Sequence, residues 1–253
     1  MPLIKDKLFY KIKRLTGRAI GDFNLIEDGD HIAVAVSGGK DSYTLFHMLE
    51  ILRRRAPVSF RLTLINIDPG YPGYRKELIE EYARAHGFSC RMVCTNCAAI
   101  IEQKRTPGSS HCSFCARLRR GVLYTQAEKE GCNKIALGHH LDDFIETLLL
   151  NQFYTGTLAA MSPKLLADNK QHTVIRPLVY VEEADIACFS SRNHFPVIGC
   201  SCPMCGEEDL QRTRIKALLG QLSRENPGIK QSLISALGRV EPRHLMDKRL
   251  KTF

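Results

Sequence analysis

The stretch Ile32-Ala33-Val34-Ala35-Val36-Ser37-Gly38-Gly39-Lys40-Asp41-Ser42 decides the fold. Five apolar, partly β-branched residues read as a buried strand and Ser-Gly-Gly as a tight turn. Asp41 and Ser42 open an amphipathic helix with Leu45, Met48, Leu49 and Leu52 on its apolar face. Strand, turn and helix N-terminus together make an anion site. The glycines let backbone N–H groups approach a phosphate, the helix dipole adds partial positive charge, and Lys40 adds a full one. A nucleotide's phosphate chain is the ligand expected there. A plain strand-to-helix turn has no need of Ser, Lys, Asp and Ser together, which weighs against a merely structural role.

The stretch is not a Walker loop, which needs Gly where Val34 stands and Ser or Thr where Asp41 stands. It resembles the S-G-G-x-D-S pyrophosphatase loop of the ATP α-hydrolases, which cleave ATP to AMP and pyrophosphate. That resemblance assigns Ser37, Gly38, Gly39, Lys40, Asp41 and Ser42 to ATP.

Outward from this loop, residues 3 to 23 place Leu3, Leu8, Ile12, Leu15, Ala19 and Phe23 at helical spacing with Lys and Arg opposite, an amphipathic helix. Phe60 to Ile67 reads as a second strand ended by Asp68-Pro69-Gly70. In an open parallel sheet ligands sit beyond the carboxyl ends of strands, so Ile67 and Asp68 should line the crevice of the first loop. A helix from Tyr74 to His86 and a short third strand, Cys90 to Cys94, follow. Residues 95 to 111 read as irregular, with Pro107, Gly108, Ser109 and Ser110 marking a loop. A fourth strand, Lys134 to Gly138, leads into His139-His140-Leu141-Asp142-Asp143. Polar residues again gather at a strand end and helix start. Gly138, His139, Asp142 and Asp143 are therefore expected beside the nucleotide, with the carboxylates suited to Mg²⁺. Capping of the helix by Asp beside a structural His is the plainer alternative. A fifth strand, Thr173 to Arg176, a helix over 182 to 193, and two further helices with a basic tail complete the chain.

The chain has 253 residues, enough to bury a full core, with an ordinary apolar content of 44%. No apolar run reaches the ~18 residues of a membrane span, and the N-terminus lacks a signal-peptide core, so a cytoplasmic protein with no membrane partner is expected. Lys and Arg number 36 against 27 Asp and Glu, a formal charge of +9 that favours a polyanionic partner. The basic residues cluster from Lys5 to Arg18, at Arg53 to Arg55, at Arg117, Arg119 and Arg120, and at Arg243, Lys248, Arg249 and Lys251.

Ten cysteines in a reduced compartment suggest metal or sulfur chemistry rather than disulfides. Cys90, Cys132 and Cys188 stand singly and read as small core residues. Cys112-Ser113-Phe114-Cys115 can share one metal or cluster, and the arginines after it attract anions. Cys94 and Cys97 repeat the spacing in a less favourable setting. Cys200, Cys202 and Cys205 form a downstream group. Four ligands from Cys112, Cys115, Cys202 and Cys205 would close a structural zinc site, whereas three would leave an iron–sulfur cluster with an open position.

Asp22-Phe23-Asn24-Leu25-Ile26, Ser37 to Thr44, Cys112 to Tyr124, Ala136 to Asp143, Met161-Ser162-Pro163-Lys164-Leu165, Ile175-Arg176-Pro177-Leu178, Leu210-Gln211-Arg212 and Pro242-Arg243-His244-Leu245 together resemble the tRNA-cytosine 2-sulfurtransferases over nearly the whole chain. The resemblance implies an α/β fold, a doubly wound parallel sheet of order 3-2-1-4-5. It divides the chain into an N-terminal helix (1–27), an ATP-binding domain with the first cysteine pair (28–180) and a C-terminal helical region with the second cysteine group (181–253). It implies ATP, Mg²⁺ and a [4Fe-4S] cluster held by Cys112, Cys115 and a third cysteine. Cys200, Cys202 and Cys205 compete for that place. Cys202 is chosen because the residue before Pro203 is held extended and can present its thiolate.

The expected reaction adenylates O2 of a cytidine in a tRNA anticodon loop and replaces it with sulfur. Lys40, Asp143 and Arg119 are the expected catalytic residues. A sulfur donor such as a cysteine desulfurase is implied, and a homodimer is among the expected assemblies. A tRNA ligase such as a lysidine synthetase with structural zinc, and a zinc-stabilised RNA-binding module without turnover, are the competing readings.

Overall fold

The computed structural model describes residues 3–103, 111–199, 202, 210–247 and 249, with the backbone alone for 111–113. The chain divides into two compact units, Met1–Leu141 with Ser162–Asp209, and Asp142–Met161 with Leu210–Phe253.

The first unit holds strands β1 (His31–Ala35), β2 (Arg61–Asp68), β3 (Cys90–Cys94), β4 (Lys134–Ala136), β5 (Lys164–Leu166) and β6 (Thr173–Ile175). They form one sheet of order β3-β2-β1-β4-β6-β5, parallel except for β5, which pairs antiparallel with β6. The expected parallel order is therefore present, with the anticipated fifth strand appearing as β6. The added edge strand β5 lies just after Pro163, too short to show a period of its own.

Period-two alternation separates the two sheet faces. Ile32, Val34 and Leu64 enter a core with α1 (Lys7–Asp22), α2 (Lys40–Arg53), α3 (Lys76–Ala85) and α7 (Glu183–Arg192), through Ile12, Leu45, Leu49, Ile79, Ile186 and Phe189. Ala33, Ile65, Ile67 and Ile135 face the other way, onto Leu123 and Ala127 of α5 (His111–Lys129). Helices on both faces of a parallel sheet define the doubly wound architecture.

Two local expectations are corrected. Residues 97–103 form helix α4 (Cys97–Gln103), because Cys97, Ala98 and Ile101 turn one apolar face inward. Cys188 is exposed rather than a core residue, since α7 buries Ile186, Phe189 and Ser190 instead. Cys132 is a buried core residue as expected, and Cys90 is half-buried against the main core; burial pushes their thiols up, to about 11 and about 12.

The second unit comprises α6 (Leu141–Leu150) from its second residue, Asp142, onward, a π-helical turn over Asn151–Thr155, α8 (Leu210–Glu225) and α9 (Ile229–Ala236). Within it Glu146 lies 3.7 Å from both Arg212 and Lys216. No helix among the described residues is long and apolar enough to cross a membrane.

Candidate active site at the carboxyl edge of the sheet

Because β3, β2, β1, β4 and β6 run parallel, their carboxyl ends share one edge, which presents Cys94, Asp68, Ser37, Gly138 and Arg176 in that order. The Ser37 loop occupies its centre, where chain order reverses between β1 and β4 and where doubly wound sheets bind ligands.

The loop is held from within and from outside. The Gly39 N–H donates to Ser37 Oγ (3.3 Å), and Ser42 Oγ donates to the Gly39 carbonyl (2.8 Å). Gly38 has φ +83°, and a Cβ there would lie 2.4 Å from the Ile198 side chain. Only glycine meets both constraints. Ile198 in turn donates its N–H to the Gly38 carbonyl at 3.0 Å. Gly39 begins α2 with no side-chain cap; the Ser42 N–H already closes onto the Gly39 carbonyl (3.1 Å), so the N–H groups of Lys40 and Asp41, which precede any intrahelical acceptor, are the ones an anion can meet.

Beneath the loop, Asn66 Nδ2 donates to the Val36 carbonyl and to Tyr74 Oη, both at 2.7 Å. Tyr74 Oη donates onward to the Ser37 carbonyl at 3.4 Å. Burial raises the Tyr74 phenol above its usual range, while the Asn66 hydrogen bond and then the nearby Arg119 guanidinium pull it down. Arg119 on α5 thus lies within electrostatic reach of the residue that steadies the loop.

Lys40 Nζ is shared between Asp41 (3.0 Å) and Glu183 (3.1 Å). Burial opposes its charge, but the two carboxylates outweigh burial and raise its pKa. A cation so held is fixed in its charged form and positioned for a phosphate. From the β4 side, a Cβ on Gly138 would lie 3.1 Å from the Asp41 backbone carbon, so any larger residue would have to push the start of α2 aside by a few tenths of an ångström. His140 Nε2 is 3.7 Å from Asp41 Oδ1, beyond hydrogen-bond range. Arg176 Nε donates to His139 Nδ1 (3.1 Å), which places the His139 proton on Nε2.

Ile67 is buried in the sheet core. Asp68 accepts from the Gly70 N–H (2.8 Å) and from Lys76 Nζ (3.1 Å), and Lys76 also meets Cys94 Sγ at 3.1 Å. Cys94, then Asp68, raise the Lys76 pKa.

Of the cysteines assigned to the cluster, Cys115 and Cys202 pack against the same small group, Tyr71, Ala98 and Ile101. Segments far apart in sequence thus bring two of the three expected ligands to one place. Cys112 lies one helical turn before Cys115 on α5, with its side chain outside the described residues, where Cys200 and Cys205 also fall. Lys248 and Lys251 of the basic tail are outside them too. The described residues hold no group of three or more His, Cys, Asp or Glu arranged for a metal. Asp142 and Asp143 open α6 in the second unit, where Asp142 pairs with Lys230 at 2.6 Å and Asp143 lies 3.9 Å from Arg212.

Sequence reasoning missed Asn66, Tyr74, Glu183 and Ile198. None belongs to a motif, and each reaches the loop from another element; the one available signal was Asn66, a polar residue in an otherwise apolar strand end.

The family model for the PP-loop domain matches residues 7–198. The tRNA-cytidine(32) 2-sulfurtransferase of Syntrophotalea carbinolica is 64% identical over 253 residues, covering 100% of this chain and 98% of that protein. The protein of the same name from Geobacter metallireducens is 61% identical over 251 residues, covering 99% and 98%. Among solved structures, the U34-tRNA thiolase NcsA from Methanococcus maripaludis with its [4Fe-4S] cluster superposes with a TM-score of 0.74 at 22% identity, over 93% of this chain and 80% of that one, a likeness of fold.

Proposed function

The chain belongs to the PP-loop domain family and, within it, to the tRNA-cytidine(32) 2-sulfurtransferases, and from that premise we propose that it uses ATP to replace O2 of a tRNA cytidine with sulfur. The observation that carries this reading is the link between the phosphate loop and the cysteine helix. Tyr74 is hydrogen-bonded to the Ser37 carbonyl and lies within electrostatic reach of Arg119, which sits four residues beyond Cys115 on α5. That link supports a reading in which base activation and sulfur chemistry share one crevice.

A carbonyl oxygen is a poor leaving group, so O2 of the base first attacks the α-phosphorus of ATP and expels pyrophosphate. Lys40 and the N–H groups at the start of α2 bear the charge that accumulates on the phosphates. Glu183 and Asp41 keep Lys40 charged and aimed. Ile67 and Asp68 border the adenine, with Asp68 fixed by Gly70 and Lys76. Gly138 and His139 border the phosphates, and Arg176 fixes the His139 ring. Arg119 faces the reacting base. Asp142 and Asp143 are the carboxylates assigned to Mg²⁺, a cation that prefers oxygen ligands.

Cys112, Cys115 and Cys202 are the thiolates for the [4Fe-4S] cluster. The shared packing of Cys115 and Cys202 fits that set, and Cys112 precedes Cys115 by a single turn. Held by those three thiolates, the cluster would bring iron to the sulfur-transfer step. The target is the cytidine at position 32 of the anticodon loop, turned out of its stack to reach the crevice. A donor such as a cysteine desulfurase supplies the sulfur, and the enzyme works in the cytoplasm.

Incubation of the anaerobically reconstituted protein with ATP, Mg²⁺, sulfide and unmodified tRNA tests the reading. AMP, pyrophosphate and 2-thiocytidine should appear together. Turnover that attaches an amine to the cytidine would support a ligase instead, and full zinc occupancy without iron would remove the cluster.

A further inference from the structure

Helix α5 presents three faces with different chemistry. Leu123 and Ala127 are buried against the sheet, and Arg119, half-buried, lies within electrostatic reach of Tyr74. The third face repeats every four residues, Arg117, Gly121, Thr125 and Lys129, and all four are exposed. With Val93 and Leu118 they line a groove of about 390 Å³ along the β3 side of the helix.

Two features of this groove call for a partner. Glycine inside a helix lowers stability relative to alanine, yet a Cβ on Gly121 would meet nothing within 4 Å. Packing within the chain therefore does not require glycine, and what glycine provides is room over the helix backbone. The groove's charge is also uncompensated. Among the described residues neither Arg117 nor Lys129 has an acidic partner. The neighbouring acids are engaged elsewhere, Glu130 by Arg91 (3.0 Å) and Gln126 (3.0 Å), and Glu128 by Gln171 (3.2 Å).

We propose that this stripe seats the sugar–phosphate backbone of a tRNA stem, an inference that rests on the tRNA reading above and gives it a surface. Arg117 and Lys129, twelve residues apart, stand ~18 Å from one another along the helix and bind phosphates at the two ends of the seat. Between them Gly121 lets the strand approach the helix backbone. Thr125 gives its hydroxyl proton to the Gly121 carbonyl at 3.1 Å, which leaves its lone pairs to accept from a ribose 2′-OH. Among the described residues no aromatic side chain lines the groove for stacking, and the Gln126 amide beside the stripe spends its Nε2 on Glu130 (3.0 Å), so the contact positions the RNA without reading its sequence. Arg119, on another face of the same helix, is left for the crevice. The arginines of this segment therefore divide their work.

Binding of an unmodified tRNA transcript to the full-length protein, by fluorescence anisotropy over a salt series, tests the seat. Arg117→Gln/Lys129→Gln should weaken binding about tenfold and lower the salt slope by about 2, one for each lost phosphate contact. Gly121→Leu should weaken binding while thermal stability holds or rises, since leucine favours the helix. Wild-type affinity and salt slope in both variants would overturn the proposal, and would be the result if the groove received a protein instead. Cytidine thiolation by the wild type on the same transcript separates the two readings. Its absence counts against the function, whereas normal thiolation with unaltered variant binding counts against the groove alone.

Discussion

The Lys40 ammonium lies 3.1 Å from the Glu183 carboxylate, across 143 residues of sequence, and the pair joins the phosphate loop to the first turn of α7. Glu183 keeps Lys40 charged, but its own negative charge also stands where phosphates must come. Glu183→Gln should therefore tighten ATP binding severalfold and leave the fold intact, measured as an ATP dissociation constant and a melting temperature. Weaker ATP binding would mean that Glu183 chiefly orients the lysine.

Loss of Lys40 itself acts in the opposite direction. Lys40→Ala should lower tRNA-dependent AMP formation by about a hundredfold, the scale of one lost donor to developing charge. Asp143→Ala should abolish the Mg²⁺ response of the same assay. Both residues lie outside the main apolar cores, so circular dichroism should be unchanged. Unaltered AMP formation in both variants would remove them from the chemistry.

How much of this was legible in the sequence depended on whether neighbours in the chain are neighbours in space. Ser37 to Ser42 fold on themselves, so their pattern showed in one reading, and the five parallel strands followed from short apolar runs bounded by turn residues. Glu183, Asn66 and Ile198 act on the loop from a helix start, a strand interior and a connecting segment, and no local period marks them. Helix α4 escaped because the Pro-Gly-Ser-Ser run nearby outweighed a single buried face of Cys97, Ala98 and Ile101. The meeting of Cys115 with Cys202 needed a third party, the Tyr71 cluster, that neither cysteine motif contains.

The approach of Gly138 to Asp41 sets a steric test. An alanine methyl 3.1 Å from the Asp41 backbone must push the start of α2. Gly138→Ala should raise the KM for ATP severalfold and lower the melting temperature by a few degrees, whereas Gly131→Ala, at a turn with open space, should leave the KM unchanged.

A buried histidine ties stability to pH. Burial, then His86, pushes His47 down to about 3 from its ordinary 6.5, while its Nε2 meets Tyr82 Oη at 2.8 Å. The unfolded chain takes up this proton below 6.5 and the folded one does not until about 3, so stability falls as pH drops through that window. Melting temperature plotted from pH 7 to pH 4.5 should decline, and His47→Gln should flatten part of the decline. An equal slope in the variant would place the acid sensitivity elsewhere.

The third cluster ligand sets an asymmetry. Reconstituted Cys112→Ala, Cys115→Ala and Cys202→Ala should lose iron and acid-labile sulfide, while Cys200→Ala and Cys205→Ala should keep both. Full iron with normal absorbance in Cys202→Ala would move the ligand to another cysteine.

The fate of one oxygen atom tests the central claim most directly. A tRNA carrying a heavy-oxygen label at O2 of the target cytidine is incubated with the reconstituted enzyme, ATP, Mg²⁺ and sulfide. AMP and the digested nucleosides are then weighed by mass spectrometry. The account predicts that the label passes into the phosphate of AMP while the same cytidine becomes 2-thiocytidine. AMP without the label, or labelled AMP alongside a cytidine that carries nitrogen at C2, would contradict it.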